Sequence, residues 1–339
     1  MKVLITGAAG FLGQKLAKKI ADEGTVGGSA ITELTLVDIV PASLPEASSN
    51  ITSRAITADF SKKDEVKAAI ESKPDFIFHL AAIVSGDAEK NFELGYTINV
   101  DGFKYLLDAI YADESYTPRL ILASSAAVFG SPVPESIPDT FHRTPRTCYG
   151  AQKAICEIYL DDYSRKGFVD GVALRFPTIS VRPGKPNKAA SSFFSGIIRE
   201  PLAGIEAVCP VERSIKHPVT SPRKAVEYLL HAASLSADKL KDGRAITMPA
   251  LTVSVGEMID SLEKIAGKEV TALIKMEKDD FINTIIGNWQ FHFDTKRAEA
   301  LGFEGNKTFD EMVQVHIDDE LGGVVHVAKK QNTGDAVEE

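Results

Sequence analysis

The stretch Thr6-Gly7-Ala8-Ala9-Gly10-Phe11-Leu12-Gly13 follows directly on the apolar run Val3–Ile5. It limits the possible folds more than any other part of the chain. The run reads as a buried strand, and Phe11–Ala21 carries its apolar residues at helical spacing. Glycines at that joint mean a strand turning tightly into a helix. Gly7 suits the turn, Gly10 the close approach of a ligand to the backbone, and Gly13 the packing of helix on strand, because a Cβ at any of them would intrude. Unpaired N–H groups at the start of such a helix, together with its dipole, favour a phosphate. Glycines alone would equally serve a turn that only needs positive φ. The strand before them and the helix after them favour a dinucleotide.

The rest of the chain extends this unit. Glu33–Asp38, a run ending near Ala58-Asp59-Phe60, Pro74–Leu80, Arg119–Ser124 and Gly171–Phe176 read as strands, and Lys62–Glu71, Asn91–Ala112 and Cys148–Arg165 as helices. Near-continuous apolar strands alternating with helices predict an α/β protein with a doubly wound parallel sheet covered on both faces. After residue 177 prolines become frequent and helices dominate, near Ser191–Arg199, Pro222–Leu235, Val255–Ala266 and Phe309–Leu321. The expected division is a dinucleotide-binding domain over 1–176 and a smaller, mostly helical substrate lobe over 177–323, free to return elements to the sheet. The polar, unpatterned stretch 324–339 reads as a disordered tail.

Composition removes several functional classes. The 339 residues carry a net charge of −9 with no basic stripe, which speaks against a nucleic-acid partner. No apolar stretch approaches the roughly 18 residues of a membrane span, and no secretory leader is read. Cys148, Cys156 and Cys209 form neither a disulfide framework nor a metal-ligand spacing, so a reduced, cytoplasmic setting without metal is expected.

Ligand-binding acids and a catalytic group follow from position. Asp38 ends the second strand, where a carboxylate accepts hydrogen bonds from ribose hydroxyls and repels a 2′-phosphate. It stands further past Gly7 than the roughly 20 residues usual for such an acid, with GTVGGSAIT as an enlarged loop between. No arginine follows it, so NAD is expected rather than NADP. Asp59 and Phe60 fall where the third strand would end near the adenine. The decisive stretch is SSAAVFG followed by CYGAQKAICE. Tyr149 and Lys153 are i and i+4 and share a helix face. A nearby ammonium lowers a phenol's pKa, lysine also holds ribose, and a serine at the preceding strand end hydrogen-bonds the substrate oxygen. Together these make an acid–base group for hydride transfer at a carbinol carbon. A Tyr-x-x-x-Lys pair is common on surface helices; its place after the glycine loop and the serine-bearing strand gives it meaning.

With these residues in view the chain resembles the short-chain dehydrogenase/reductase superfamily in its extended branch, the NAD-dependent epimerase/dehydratase family. TGAAGFLG is similar to the TGxxGxxG fingerprint, HLAA to the strand-four motif with Leu80, Ala81 and Ala82, and TINVDG to the asparagine-bearing helix with Asn99. SSAAVFG and YGAQK resemble the serine and Tyr-x-x-x-Lys motifs. Ser125 matches by its distance from Gly130, with Ser124 the adjacent alternative, and Phe129 stands where the branch usually has tyrosine. LRFPTISVRPG resembles the segment after strand six, in which Pro177 to Ile179 would pass the nicotinamide. The resemblance implies a Rossmann-type fold with Gly7, Gly10, Phe11, Leu12, Gly13, Asp38, Asp59, Phe60, Tyr149 and Lys153 also at the NAD. A closer resemblance, over about residues 1–323, is to bacterial D-erythronate dehydrogenases, through HLAAIVSGDAE, RPGKPNKAASSFFSGIIREPLAG, SPRKAV and VHIDDELGG. It implies NAD-linked oxidation of a sugar acid to its 2-keto acid. Where those proteins have a stretch like HWHASPR, this chain has His217-Pro218-Val219-Thr220-Ser221-Pro222-Arg223.

The small lobe suits an acid. Arg182, Lys185, Arg199 and Arg223 are its candidate carboxylate clamps, with Arg182 leading. Pairing with neighbours such as Glu200 is the competing use of these arginines. Ser85 and His217 are further expected substrate contacts. Trp289, Phe291 and His292 are read as a lobe-closing cluster. The helices Asn91–Ala112 and Cys148–Arg165, with Phe103, Leu107, Ile155 and Tyr159, offer a four-helix-bundle homodimer, unless both stripes face the sheet. Three readings stand: a sugar-acid dehydrogenase with exchangeable NAD, a nucleotide-sugar epimerase or dehydratase with NAD held permanently, and a non-catalytic NAD-binding regulator.

Overall fold

Strands that lie side by side and all run one way make the centre of the molecule. The computed structural model describes residues 1–46, 51–184, 190–241, 243–287, 289 and 292–325; Lys185, Phe291 and most of the expected tail lie outside them. The strands are β1 (Lys2–Thr6), β2 (Glu33–Asp38), β3 (Thr52–Thr57), β4 (Phe76–His79), β5 (Arg119–Ser125), β6 (Asp170–Phe176) and β7 (Ala245–Thr247). They form a seven-stranded sheet in the order β7-β6-β5-β4-β1-β2-β3. Every pairing is parallel. The helices used below are α1 (Phe11–Glu23), α2 (Lys63–Ala69), α3 (Gly102–Tyr111), α4 (Cys148–Arg165), α5 (Phe193–Leu202), α6 (Pro222–Ser234), α7 (Val255–Ala266) and α8 (Phe309–Glu320).

Apolar periodicity explains the layers. Leu16, Ala17 and Ile20 of α1 recur at helical spacing and are buried with Tyr228 and Leu229 of α6 on one face of the sheet. On the other face Phe103 and Leu107 of α3 pack with Leu160 of α4 and Val66 of α2. Each such side chain contributes about 1.5–3 kcal/mol on burial. Phe103 and Leu107 are therefore core residues, fully buried, and not part of an outer dimer stripe. The enlarged loop after α1 is a hairpin, Thr25–Val26 paired with Ser29–Ala30. Gly27 and Gly28 at its tip have φ of +58° and +79°, the turn that matches strand twist.

The expected long helix is present without interruption over 92–111, and one stretch of it is wound more widely. Phe92–Tyr96 leads into a wide turn at Thr97–Asp101 and then α3. Within the wide turn the Cys156 thiol donates to Asn99 O at 3.0 Å. After residue 177 the chain alternates between two cores. Residues 193–219 and 253–286 and α8 build a separate apolar cluster. The stretch between them supplies α6 and β7 to the sheet, and Ala298 and Phe303 return to the same sheet core.

Register brings the functional ends level. Thr6 pairs with His79, Ser125 with Phe176 and Asp38 with Thr57, so the carboxyl ends of β1 to β6 open on one edge. The strand order reverses direction about β1 and β4, the point where open α/β sheets bind ligands.

Candidate active site

A cleft of about 520 Å³ lies over these strand ends, walled by the glycine loop, the tips of β2, β4, β5 and β6, and the start of α4. Gly7 has φ +70°, and a Cβ there would stand 2.6 Å from Ala81 N. A Cβ at Gly13 would stand 2.4 Å from Gly7 O. Both glycines therefore exist for close backbone packing. Gly10 caps α1 without any side-chain acceptor, and Gly10, Phe11, Leu12 and Gly13 face the cleft. Uncapped N–H groups opening into a cleft at the positive end of a helix fit a dinucleotide diphosphate.

The acids lie along the same wall. Asp38 lines the cleft, and its Oδ2 accepts the Ala9 N–H at 2.9 Å. Asp59 and Phe60 line it further out. Hydrogen bonds from Ser61 hold the Asp59 carboxyl below its ordinary value. Leu80, Ala81 and Ala82 form the floor beyond β4. His79 beneath them is buried, bonded to Thr6 Oγ1 at 2.9 Å, and pushed down to about 3 by burial and then by the Lys153 charge.

Ser125, Tyr149 and Lys153 converge on the cleft from β5 and α4. α4 starts where it does because Thr147 caps it, its hydroxyl accepting the Gly150 N–H at 3.0 Å. Gly150 then lets the helix meet the turn after β5, since a Cβ would fall 2.1 Å from Ala127 O. The two serines divide their tasks. Ser124 Oγ donates to buried Glu157 at 2.6 Å, whereas Ser125 Oγ faces the cleft and accepts the Ala127 N–H at 3.1 Å. Lys153 Nζ lies 5.7 Å from the Tyr149 ring centroid. Burial pushes the Tyr149 phenol up to about 12 and lowers Lys153, which Cys156 and Glu157 partly restore. Burial thus outweighs the lowering of the phenol expected from the lysine.

Other expected residues divide into those on the cleft and those behind it. Ser85, Pro177, Ile179 and Arg182 line the cleft. Arg182 lies over Phe11, 5.9 Å from its ring centroid, and both its backbone polar atoms are held from α5: its N–H by Ser195 Oγ and its carbonyl by Arg199. Arg199 itself is turned away. Its guanidinium donates to that carbonyl and to the Glu200 carboxylate, so it is a support and not a clamp on the cleft wall. Arg223 pairs with Asp319. His217 is buried under the Phe194 ring and bonded to Thr178 Oγ1 at 2.6 Å, one layer behind the cleft. The neighbouring Pro218 and Val219 are buried in a strand paired with Leu251–Ser254, so that departure from the resembled sequences lies behind the cleft too. Asn99 is sealed beneath, its carboxamide holding both backbone atoms of Ile83 and Gln152 Oε1. Trp289 packs on the lobe core, and His292 is exposed.

Sequence reasoning missed Ser191, Ser192 and Ser195, hydroxyls on the lobe side of the cleft, and Ile39, Val84 and Ile98, apolar residues lining it. The run SSFFS at a helix start was the available signal for the three hydroxyls.

A family model for the NAD dependent epimerase/dehydratase family matches residues 3–213. The chain belongs to that family. Within it, D-erythronate dehydrogenase of Cupriavidus necator is 42% identical over 94% of this chain and 98% of its own length. D-erythronate dehydrogenase of Haemophilus influenzae is 41% identical over 94% of this chain and 99% of its own. A crystal structure of the nucleoside-diphosphate-sugar epimerase from Agrobacterium tumefaciens superposes with a TM-score of 0.91 at 49% identity, covering 96% of both chains. Solved structures of lower identity share the fold, as the holo form of a GalE-like L-threonine dehydrogenase from Cupriavidus necator does at a TM-score of 0.79 and 20% identity, covering 94% of this chain and 99% of its own.

Proposed function

We propose that this chain is an NAD-dependent dehydrogenase oxidising the 2-hydroxyl of a small sugar acid, D-erythronate first, to the 2-keto acid. The observation that carries the reading is the convergence of Ser125, Tyr149 and Lys153 on a cleft that also holds the glycine loop and Arg182, in a chain 42% identical to a D-erythronate dehydrogenase. Nicotinamide in its oxidised form, held by the glycine loop and Lys153, would supply the acceptor for the hydride on C2. Ser125 hydrogen-bonds the carbinol oxygen, and Tyr149 takes its proton as the base. Lys153 supplies the positive charge that opposes the effect of burial on the phenol, and it holds ribose. Asp38 binds the adenosine ribose and selects NAD over NADP. Gly7, Gly10, Gly13, Asp59, Phe60, Leu80, Ala81, Ala82, Pro177 and Ile179 shape the cofactor's bed, with Asn99 supporting it from below.

Arg182 is the proposed carboxylate clamp. Charge-assisted hydrogen bonds are worth about 1.5–3 kcal/mol, so R182A should lower kcat/KM by about 10- to 150-fold. Ser85 and the hydroxyls at Ser191 and Ser192 complete the polyol side. The lobe's part of residues 177–323 then serves as the substrate domain. The three cysteines stay unpaired and suit the cytoplasm. No helix among the described residues is long and apolar enough to cross a membrane. Exposed Leu94, Tyr111 and Ile158 on the outer surface of the two helices proposed for pairing are the residues for a homodimer.

The nucleotide-sugar epimerase reading is kept because the 49% identical structure carries that name. One panel separates the two: D-erythronate, L-threonate, other aldonates, erythrose and a UDP-hexose, each with NAD. NADH formed only with aldonates supports the dehydrogenase. Epimerised UDP-hexose with no net NADH supports the epimerase. Equal rates on acid and neutral sugar would remove the carboxylate clamp.

A further inference from the structure

Beneath the cleft floor lies one carboxylate that reaches the segments bearing the reactive groups. Glu157 stands one turn beyond Lys153 on α4 and is 1% exposed. Its Oε1 accepts from Ser124 Oγ at 2.6 Å and from Arg175 Nε at 3.0 Å. Its Oε2 accepts from Arg143 Nε at 2.6 Å and Arg175 Nη2 at 2.9 Å. Ser124 immediately precedes Ser125 on β5. Arg175 lies on β6 just before Phe176 and Pro177, which line the cleft. Arg143 comes from the loop leading into α4 and continues to Asp161 at 3.1 Å. Burial alone would raise the Glu157 carboxyl; Arg175, then Arg143 and Ser124, overcome this and hold it below its ordinary value.

Stability is a poor reason for such a cluster. Removing charges from water costs several kcal/mol per ion, and apolar replacements of buried ion pairs are often neutral or stabilising. What the cluster does supply is direction: a carboxylate gripped by planar guanidinium groups has few orientations open to it. Tyr149 and Lys153 come from a helix, Ser125 from a strand, and a positioning error of about 1 Å costs on the order of 100-fold in rate.

We propose that Glu157 is a positioning residue for the reaction: through Ser124 and Arg175 it fixes Ser125 and the Pro177–Ile179 segment relative to Tyr149 and Lys153. The kinetic part of this proposal rests on the dehydrogenase reading. S124A is the cleaner probe, because it removes one hydroxyl and leaves both arginine pairs in place; E157Q keeps the length of the side chain but removes its charge. S124A should fold with a Tm close to wild type and bind NAD within about twofold, while kcat falls about tenfold and the deuterium isotope effect from C2-deuterated substrate rises. A variant that merely lost part of its folded fraction would lower Vmax without changing that isotope effect. E157Q should lower kcat further. The crystal structure of S124A should show the Ser125 Oγ–Tyr149 Oη separation changed by more than about 0.5 Å, the tolerance of a productive site. An unchanged separation, or a kcat within twofold of wild type, would overturn the proposal. Failure of the dehydrogenase reading would look different: wild type inert toward every sugar acid, with the structural comparison still decisive for Glu157.

Discussion

Cofactor choice can be tested at a single atom pair. Asp38 has two tasks at once: its Oδ2 accepts the Ala9 N–H of the glycine loop at 2.9 Å, and its charge faces the cleft. D38N separates them, since a carboxamide oxygen still accepts from Ala9 while the charge is gone. D38A removes both. A unit charge about 4 Å from a phosphate charge repels it by about 4 kcal/mol at an effective dielectric near 20, and by about 1 kcal/mol if water screens the pair fully. Asp38 is half-buried at the cleft rim, so the true value lies between. The NAD-over-NADP preference in kcat/KM should therefore narrow by at least about fivefold, and at most about a thousandfold, in D38N. The assay is the same sugar-acid oxidation with each cofactor, accompanied by binding titration of each. An unchanged ratio in D38N beside an altered one in D38A would show that loop shape, not charge, sets the choice. Equal use of both cofactors by wild type would show that Asp38 does not face the ribose.

Three further outcomes are expected. Y149F should abolish nearly all turnover with NAD affinity close to normal, whereas K153A should lower both; steady-state rates and binding titration check this, and a near-wild-type rate in Y149F would end the mechanism. In the oxidation direction kcat should rise with pH into the alkaline range, because the Tyr149 phenol at about 12 must give up its proton, and a profile flat from neutral upward would contradict its role as base. His79 and His217 both have folded values near 3, below the unfolded 6.5, so the stability tied to their neutral forms is full above pH 6.5 and is lost as pH falls toward 3. At pH 5 this amounts to about 2 kcal/mol for each of these two, and burial lowers His316 in the same direction, so urea unfolding at pH 7 and pH 5 should differ by at least about 4 kcal/mol, of which H217Q should remove about 2 kcal/mol.

The sheet and its glycine loop were legible because their signals are local. Apolar runs and the glycine spacing at the end of the first strand can each be read within a few residues, and Cys148–Arg165 is a helix over just that span. The helix over 91–112 was legible but the wide turn at Thr97–Asp101 within it was not, because the contact made there, from the Cys156 thiol to Asn99 O, comes from a distant part of the chain. Arg199 and His217 were misplaced for the same reason: an arginine or histidine reads as a ligand contact until the Arg182 carbonyl or Thr178 hydroxyl that occupies it is seen. Spacing left Ser124 and Ser125 nearly equivalent, and only the buried Glu157 tells them apart. The hydroxyls of Ser191, Ser192 and Ser195 reach the cleft by the fold of the lobe over the sheet, which no periodicity encodes.

The repeated passage of the chain between two cores has a consequence for how the protein comes into being. The sheet's apolar centre includes Tyr228, Ile246 and Phe303, and the lobe's includes residues from Val181 to Ile317. During synthesis, neither centre can be completed until almost the entire chain has left the ribosome, although the glycine loop emerges first. The face of the sheet under α1 should therefore stay open and protease-sensitive for most of translation, while the opposite face, built from Leu4 to Ala173 with only Ala245 added later, can close earlier. Ribosome-stalled chains ending before Phe303 should be digested within α1, while chains ending after Ile317 with a linker clear of the exit tunnel should resist there. A protected α1 in the shorter chains would show that this face does not wait for its returning elements. The same weave means that the lobe cannot be grafted onto another sheet at a single junction.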